Sequence, residues 1–482
     1  MYIILLVSVL LFSSRSLAEV VITAREPIIE ELNNVTARGL FGFDVKAFLE
    51  KNGYPFENHK LTTQDGYVLA IHRIPYGRNS SASTFKNETK PAVLIMHGVG
   101  SSSVDYMILG PERSLPMILA DQGYDVWLGN NRGNTWSRKH VTLDPDKNDT
   151  FWDFSFHELG LYDASAIIDY ILNATRNEKI SYIGHSQGST EFFALTSELP
   201  QYNDKVNIMM ALGPAVYCKN LTSPIVRILK DHYKLVESTA DYFNLTAEIL
   251  GHTFIIETAL KLICKNESQY QEVCPLILFL LFGFDSEQFE RSIVTTMVEV
   301  FPAGLSMKEL KHYLQLVKSG HFRQFDHGEL NNLEIYNKSS PPDYDISRVT
   351  APVALYYGKN DWLVGTADID QLAEELPNLV ENYLIEYDYF NHMDFIVAKD
   401  VVSLLYFDLI NKLNEINGLA PLPATSTVST NYITTTLTND PTTQPSYTET
   451  ESQSFTTPGS ALSINNFARI SFLFVLMLRF VR

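Results

Sequence analysis

Residues 180–188 read Ile-Ser-Tyr-Ile-Gly-His-Ser-Gln-Gly, and this stretch decides the fold. Its first four residues form a β-rich run, and a helical stretch from Thr190 to Leu199 follows the second glycine. A Gly-x-Ser-x-Gly motif between a strand and a helix is typical of a nucleophile elbow, in which a tight, strained turn lifts the serine above the sheet. Side chains at Gly184 and Gly188 would collide with the neighbouring strand and helix. We therefore predict that Ser186 presents its hydroxyl from such a turn.

Short apolar runs and helical stretches alternate between about Val20 and Gly418. Further β-rich runs lie at residues 93–96, 124–128, 206–212, 352–357 and 383–387. Continuous apolar strands that alternate with helices predict an α/β fold with a mostly parallel central sheet covered on both faces. The alternation stops from 214 to 350, where the sequence is helix-like, and we interpret this stretch as a helical cap over the carboxyl edge of the sheet. The core then comprises residues 19–213 and 351–418.

A serine hydroxyl becomes a nucleophile only when a base takes its proton, and an acid must orient that base. In this kind of fold the three residues follow the chain order serine, acid, histidine. Asp361 stands in the turn after the run at 352–357, and His392 follows the last run. We predict a triad of Ser186, Asp361 and His392. Asp388 remains an alternative acid, whereas Asp394 is expected to steady the loop of the histidine.

The negatively charged intermediate of ester cleavage needs two backbone N–H donors. One follows the nucleophile and the other lies in the loop after the third strand of the fold, which predicts Gln187 and Val99. His97 is an alternative base, although its position suits shaping this loop, and His185 is expected to be structural. Ordinary polar roles are expected for the histidines of the predicted cap, which are His252, His312, His321 and His327. Such a reaction requires no metal and no organic cofactor.

The composition excludes several classes of protein. The 37 Lys and Arg against 56 Asp and Glu give a net charge of −19, which disfavours nucleic acid as a partner. Three cysteines rule out a disulfide-dense scaffold and a four-cysteine zinc site. In an exported chain Cys264 and Cys274 can pair within a short loop. Cys218 is then left over, and we interpret it as a partly buried thiol rather than a nucleophile.

The N-terminus and the sequons predict export. Residues 1–18 resemble a signal peptide, because a short apolar run precedes the small residues Ser16 and Ala18. An uncleaved N-terminal anchor is the alternative. Nine Asn-x-Ser/Thr sequons supply candidate glycosylation sites at Asn34, Asn79, Asn87, Asn148, Asn173, Asn220, Asn244, Asn266 and Asn337.

The C-terminus predicts a stalk and an anchor. From Thr425 to Thr457, 18 of 33 residues are Ser or Thr, so we interpret residues 419–459 as an extended, O-glycosylated stalk. Residues 460–482 combine small residues, a polar spacer and a short apolar tail, which is typical of a GPI-attachment propeptide. We therefore expect an extracellular protein held on the outer membrane leaflet. A freely secreted chain and a transmembrane anchor are the alternatives.

Several motifs beyond the elbow carry a family resemblance. They are Gly53-Tyr54-Pro55, Thr63-Gln64-Asp65-Gly66-Tyr67, His97-Gly98, residues 123–134 (GYDVWLGNNRGN), residues 151–156 (FWDFSF), residues 184–189 (GHSQGS) and residues 391–395 (NHMDF). From about Gly39 to Leu413 the chain resembles the acid lipases, the gastric and lysosomal lipase family of α/β-hydrolases. The resemblance implies the same triad and oxyanion residues, a cap that carries a lid, and acyl esters of neutral lipids as substrates at a lipid–water interface.

The chain departs from the family pattern at some positions. The pair Cys264–Cys274 resembles the family disulfide with one residue inserted, and Phe282 stands where vertebrate relatives have a third cap cysteine. Val99-Gly100 replaces two bulkier residues after His-Gly. The stalk and anchor signal lie outside the pattern. Two other functions remain open, which are a non-catalytic lipid- or partner-binding surface protein and a short-chain esterase.

Overall fold

The computed structural model describes residues 43–79, 89–234, 238, 248–249, 264 and 273–422. Its centre is an eight-stranded sheet with the strand order β1-β2-β4-β3-β5-β6-β9-β10. These strands are β1 (Glu57–Thr62), β2 (Val68–Ile74), β3 (Ala92–Met96), β4 (Asp125–Leu128), β5 (Ile180–His185), β6 (Val206–Leu212), β9 (Val353–Tyr357) and β10 (Leu379–Leu384). Two short strands, β7 (Glu248–Ile249) and β8 (Leu305–Ser306), pair separately.

The sheet is mostly parallel, as predicted. Every neighbouring pair from β4 to β10 runs parallel, whereas β2 runs antiparallel to both β1 and β4. The sequence-based assignment missed β1 and β2, and it placed the last strand at 383–387 instead of Leu379–Leu384. Both β1 and β10 are edge strands whose side chains alternate between partly buried and exposed positions, so neither forms a continuous apolar run.

Helices connect the strands on either side of the sheet. They are α1 (Val45–Lys51), α2 (Leu115–Asp121), α3 (Ser165–Thr175), α4 (Gln187–Glu198), α5 (Pro224–Asp231), α6 (Val273–Phe282), α7 (Met307–Ser319), α8 (Glu329–Tyr336), α9 (Thr366–Glu375) and α10 (Phe407–Asn417). Shorter helical turns lie at Asp105–Met107, Asp149–Trp152, Phe156–Glu158, Pro200–Lys205, Arg291–Ile293, Val294–Met297, Ile346–Arg348 and Asp394–Val397, and π-helical turns at Leu159–Ala164 and Val402–Tyr406.

Strand β3 shows how the sheet is buried on both faces. All five of its residues are buried. Leu94 and Met96 belong to the core cluster on the side of α3, and Val93 and Ile95 belong to the cluster that contains residues of α2 and α10. Because alternate side chains of a strand point to opposite faces, an unbroken apolar run is what a doubly covered strand requires.

The chain leaves the sheet after Leu212 and re-enters it at Val353. The described residues of this insertion form α5 to α8 together with short turns and the β7–β8 pair, in agreement with the predicted helical character. Within the described ranges, none of the helices is both long enough and apolar enough to cross a membrane.

Candidate active site

Ser186 occupies a strained turn between β5 and α4. Its backbone angles are φ 52° and ψ −114°, which few residues other than glycine adopt. The two glycines of the motif make the turn possible. A methyl group at Gly184 would lie 2.6 Å from the carbonyl carbon of Gly188, and one at Gly188 would lie 2.5 Å from the carbonyl oxygen of Met96. Helix and strands therefore approach more closely here than any side chain allows.

Asp361 and His392 form a buried hydrogen-bonded pair. The Nδ1–H of His392 donates to Asp361 Oδ2 at 2.7 Å. The other carboxylate oxygen, Oδ1, accepts from the backbone N–H groups of Leu363 and Val364 at 2.9 Å each. Gly213 leaves room for the pair, because a methyl group there would lie 3.1 Å from Asp361 Oδ2 and 3.3 Å from His392 Nδ1. The carboxylate is thus fixed in orientation and holds the imidazole in one tautomer.

The alternative acid Asp388 lies elsewhere. Its carboxylate is exposed and forms an ion pair with Lys359 at 2.9 Å. Asp394 is buried, and its Oδ2 accepts from the backbone N–H of Asn391 at 2.7 Å, so it contacts the histidine loop as expected. Burial raises the pKa of Asp394 well above its ordinary value, and the neighbouring Asp285 acts in the same direction.

Ser186 and His392 line the same cavity, together with Gly98 and Val99 of the loop after β3. The cavity is partly open to solvent, and the space free of protein atoms within it and at its mouth is about 490 Å³. Its walls are mainly apolar and include Ile108, Phe282, Met297, Phe301, Leu363 and Ile396. The arrangement suits a hydrocarbon chain beside a reacting polar group.

His97 shapes the loop that carries Val99. Its Nε2 accepts from the backbone N–H of Asn131 and from the Asn134 side chain, both at 3.2 Å. The proton must then sit on Nδ1, which donates to the carbonyl of Gly98 at 2.8 Å. Burial lowers the pKa of His97 to about 4, so the ring is neutral at physiological pH. Both ring nitrogens are engaged, which leaves no free position for a base.

Asp105 holds the other end of this loop. Its Oδ2 accepts from the hydroxyl of Ser101 and from the backbone N–H of Ser102. Its side chain is buried at the cavity wall, and burial raises its pKa to about 7. Asp105 is not among the residues predicted from the sequence. A burial-raised carboxyl pKa depends on the fold, and no short motif around this residue signals it.

The segment Phe282–Phe284 of the insertion joins the acid and histidine loops. The carbonyl of Phe282 accepts from the backbone N–H groups of Trp362 and His392 at 3.2 and 3.3 Å. Its ring stacks on His392 with centroids 5.9 Å apart. Gly283 follows with φ 121°, and a methyl group there would lie 2.1 Å from the carbonyl oxygen of Asn360. In the sequence, the one sign of this segment is the glycine that follows an apolar run, which indicates the end of a helix.

The remaining polar candidates have structural contacts. Nε2 of His185 lies 3.0 Å from the carbonyl of His392, and the ring of His312 stacks on Phe156 at 3.9 Å. His321 pairs with Asp343 near the surface, His327 packs against aromatic rings, and His252 lies outside the described residues. Cys218 is a buried free thiol whose pKa is raised by burial, so little reactive thiolate forms.

A disulfide joins Cys264 and Cys274, the predicted pair. Such a bond indicates an oxidising compartment and agrees with passage through the secretory pathway. Five of the sequon asparagines belong to the described residues, and all five are exposed: Asn79, Asn148, Asn173, Asn220 and Asn337. The other four sequon asparagines lie outside the described residues: Asn34, Asn87, Asn244 and Asn266. The predicted signal peptide, the predicted anchor and most of the predicted stalk also lie outside them.

The fold defines an α/β-hydrolase, and comparisons with known proteins narrow the class. A family model described as a partial alpha/beta-hydrolase lipase region matches residues 45–110, and one described as alpha/beta hydrolase fold matches residues 91–247. Lipase 3 of Drosophila melanogaster is 39% identical over 371 residues, which cover 76% of this chain and 92% of that protein.

Two further relatives support the same family. Lipase 1 of Drosophila melanogaster is 38% identical over 379 residues, with 78% of this chain and 81% of that protein covered. The gastric triacylglycerol lipase of Homo sapiens is 34% identical over 394 residues, with 79% and 96% covered. The chain therefore belongs to the acid lipase family of α/β-hydrolases, and it is a carboxylic-ester hydrolase. The resemblance drawn from the motifs is confirmed.

Proposed function

We propose that this protein is a serine lipase that cleaves acyl esters of neutral lipids, such as triacylglycerols or sterol esters. One observation carries the proposal. The hydroxyl-bearing Ser186 stands in a strained elbow at the same cavity as His392, whose imidazole is hydrogen-bonded to Asp361 at 2.7 Å. A serine, a histidine and a buried carboxylate in this arrangement are the components of acyl-transfer catalysis.

Each residue has a defined role in the proposed reaction. His392 Nε2 takes the proton of Ser186 while the serine oxygen attacks the ester carbonyl. The backbone N–H groups of Val99 and Gln187 stabilise the negatively charged oxygen of the tetrahedral intermediate. The intermediate collapses to an acyl-enzyme, and His392 gives its proton to the departing alcohol. Water then attacks in the same way and releases the fatty acid. Asp361 stabilises the charged imidazole throughout.

The apolar cavity wall supports a long acyl chain as the substrate group. Aliphatic and aromatic side chains surround the serine, and burial of each methylene in such a site contributes about 0.8 kcal/mol. The names of the relatives, which include a gastric triacylglycerol lipase, point to the same substrate class. We propose that residues 214–350 form the cap and lid over this cavity, between the core segments 19–213 and 351–418.

The proposal is tested with Ser186→Ala and a matched control, Ser403→Ala, at an exposed serine. The first change is expected to abolish both turnover and labelling by a fluorophosphonate probe, and the second to leave both intact. A substrate panel comprising a long-chain triacylglycerol, a sterol ester and a short-chain soluble ester defines the preference. Cleavage of the soluble ester alone would identify a short-chain esterase. Binding of lipid without labelling or turnover would identify a non-catalytic protein.

We also propose that the mature chain is glycosylated and held at the cell surface by a GPI anchor. The proposal rests on the signal-like residues 1–18, the Ser/Thr-rich stretch 419–459 and the terminal segment 460–482. Phosphatidylinositol-specific phospholipase C should release the activity from intact cells. A chain that ends at residue 459 should appear in the medium without treatment. Activity that stays on the cells after the phospholipase would remove the anchor from the proposal.

A further inference from the structure

Glu191 is a fully buried carboxyl group in the first half of α4, five residues after Ser186. Its Oε1 accepts from the side-chain amide of Asn131 at 2.5 Å. Its Oε2 is buried and has no hydrogen-bond partner among the described residues. The same is true of Oε1 of Gln187. Unpaired buried acceptors are rare in folded proteins, because each one loses its hydration without compensation.

These two atoms belong to neighbouring side chains. Gln187 and Glu191 are four residues apart on α4, so their side chains lie on one face of the helix. The amide of Gln187 opposes the rise in the pKa of the carboxyl groups of Glu191 and of Glu309, which lies in the first turn of α7. A proton on Glu191 Oε2 would turn one of the two unpaired acceptors into a donor, and Gln187 Oε1, on the same face of the helix, is an unpaired acceptor.

The electrostatic surroundings favour that proton. Burial raises the pKa of Glu191 well above its ordinary value, and the nearby carboxyl groups of Asp163 and Glu309 act in the same direction. The amides of Asn131 and Gln187 oppose the shift, but they are uncharged. A buried carboxyl group beside other carboxyl groups is more stable in its neutral form.

Glu191 also connects to both proposed oxyanion donors. On one side it shares a face of α4 with Gln187, whose backbone N–H is one donor. On the other side it holds Asn131, whose backbone N–H donates to His97, and His97 in turn donates to the carbonyl of Gly98 beside Val99. The carboxyl group is therefore close to one donor along the helix, and a hydrogen-bonded path joins it to the Gly98–Val99 peptide group that carries the other donor.

We propose that Glu191, in its protonated form, is a positioning residue that fixes the separation of the Gln187 and Val99 backbone donors. The inference rests on the proposed function, because it concerns how the oxyanion of ester cleavage is held. The neutral state matters as well as the geometry. A carboxylate at this point would repel the negative charge that develops on the substrate oxygen, in a site shielded from water.

The test compares Glu191→Gln with Glu191→Leu on a soluble ester. Glutamine keeps an acceptor for Asn131 and supplies an N–H toward Gln187, so it should restore kcat to near the wild-type value. Leucine fills the space without either bond, and kcat should fall about 10- to 100-fold with KM unchanged, since a misplaced donor weakens transition-state binding. The wild-type minus Glu191→Gln infrared difference spectrum at neutral pH should show the C=O band of a protonated carboxylic acid, since bands from other buried acids such as Asp394 and Asp105 are common to both proteins and cancel.

Three results would overturn the inference. They are a wild-type kcat in Glu191→Leu, an equal loss of kcat in both variants, and an infrared spectrum without the protonated-acid difference. The infrared comparison remains decisive if the leucine variant fails to fold. Ser186→Ala separates this inference from the proposed function. If that variant keeps full turnover, the proposed function fails; if it is inactive while Glu191→Leu is normal, only the positioning role fails.

Discussion

Replacing Asp361 by asparagine changes one atom and reverses a hydrogen bond. Asp361 Oδ1 accepts two backbone N–H groups at 2.9 Å, and Oδ2 accepts the Nδ1–H of His392 at 2.7 Å. An asparagine that keeps its oxygen toward the two backbone donors must present its NH₂ group to the imidazole. In the opposite orientation the asparagine would keep the bond from His392, but its NH₂ group would face the two backbone N–H groups and both of those bonds would be lost. Each unpaired buried donor costs about 1–3 kcal/mol of stability.

The consequence for the histidine follows from that orientation. An NH₂ group facing Nδ1 forces Nδ1 to accept, so the imidazole proton moves to Nε2, and Nε2 then cannot take the proton of Ser186. We expect kcat to fall about 10⁴-fold, as for the equivalent change in other serine hydrolases, which corresponds to about 5.4 kcal/mol of transition-state stabilisation. KM should change little, because the replaced side chain, Asp361, is not part of the cavity wall. Steady-state kinetics on a soluble ester measures both constants.

Asp388→Asn is the matched control. It removes the same charge from the alternative acid, whose carboxylate is exposed and paired only with Lys359 among the described residues. We expect its kcat to equal that of the wild-type protein. A loss of less than about tenfold in Asp361→Asn, with thermal stability maintained, would refute the reasoning, because tautomer inversion cannot be so mild. A large loss in Asp388→Asn would transfer the acid role to that residue.

Three further predictions concern packing and charge. Gly188→Ala should lower the melting temperature and fluorophosphonate labelling, because the new methyl would lie 2.5 Å from a β3 carbonyl oxygen. Arg132→Met should destabilise by about 3–5 kcal/mol in urea unfolding, since it leaves the buried carboxylate of Asp163 without its cationic partner and also removes the ion pair with the partly exposed Asp65. Asp105→Asn should gain stability relative to the wild-type protein as pH rises from about 4 to about 7. The folded pKa of Asp105, about 7, lies above its ordinary value of 3.8, so the folded wild-type protein binds this proton more tightly than the unfolded chain does. The resulting contribution to wild-type stability is present at low pH and is lost as the pH rises from about 4 to about 7.

The sequence predicted those parts of the site that depend on local backbone rules. Gly184 and Gly188 bracket Ser186 because no side chain fits there, and that requirement is visible in five residues. Strands β3, β5 and β6 are buried on both faces, so they appear as apolar runs. The polar edge strand β1 alternates and was missed.

Other features of the site depend on contacts between distant parts of the chain. The tautomer of His97 follows from two donors more than 30 residues away, and the protonation expected for Glu191 follows from its surroundings rather than from its place in α4. A single sequence contains no signal for either. The same limit applies to the acid, where Asp361 and Asp388 both follow strands, and only the contact with His392 distinguishes them.

The insertion contributes hydrogen bonds to the candidate active site in addition to the cover that we propose it forms. The backbone carbonyl of Phe282 accepts from the loops that carry Asp361 and His392, and the carbonyl of Gly283 accepts from the Asn391 side chain at 3.1 Å. These bonds come from the end of α6, about 70 residues after the chain leaves the sheet. The acid and histidine loops therefore depend on the insertion for part of their hydrogen bonding. A change in its position would alter the proposed triad as well as access to the cavity, so substrate entry and catalytic geometry are physically coupled in this chain.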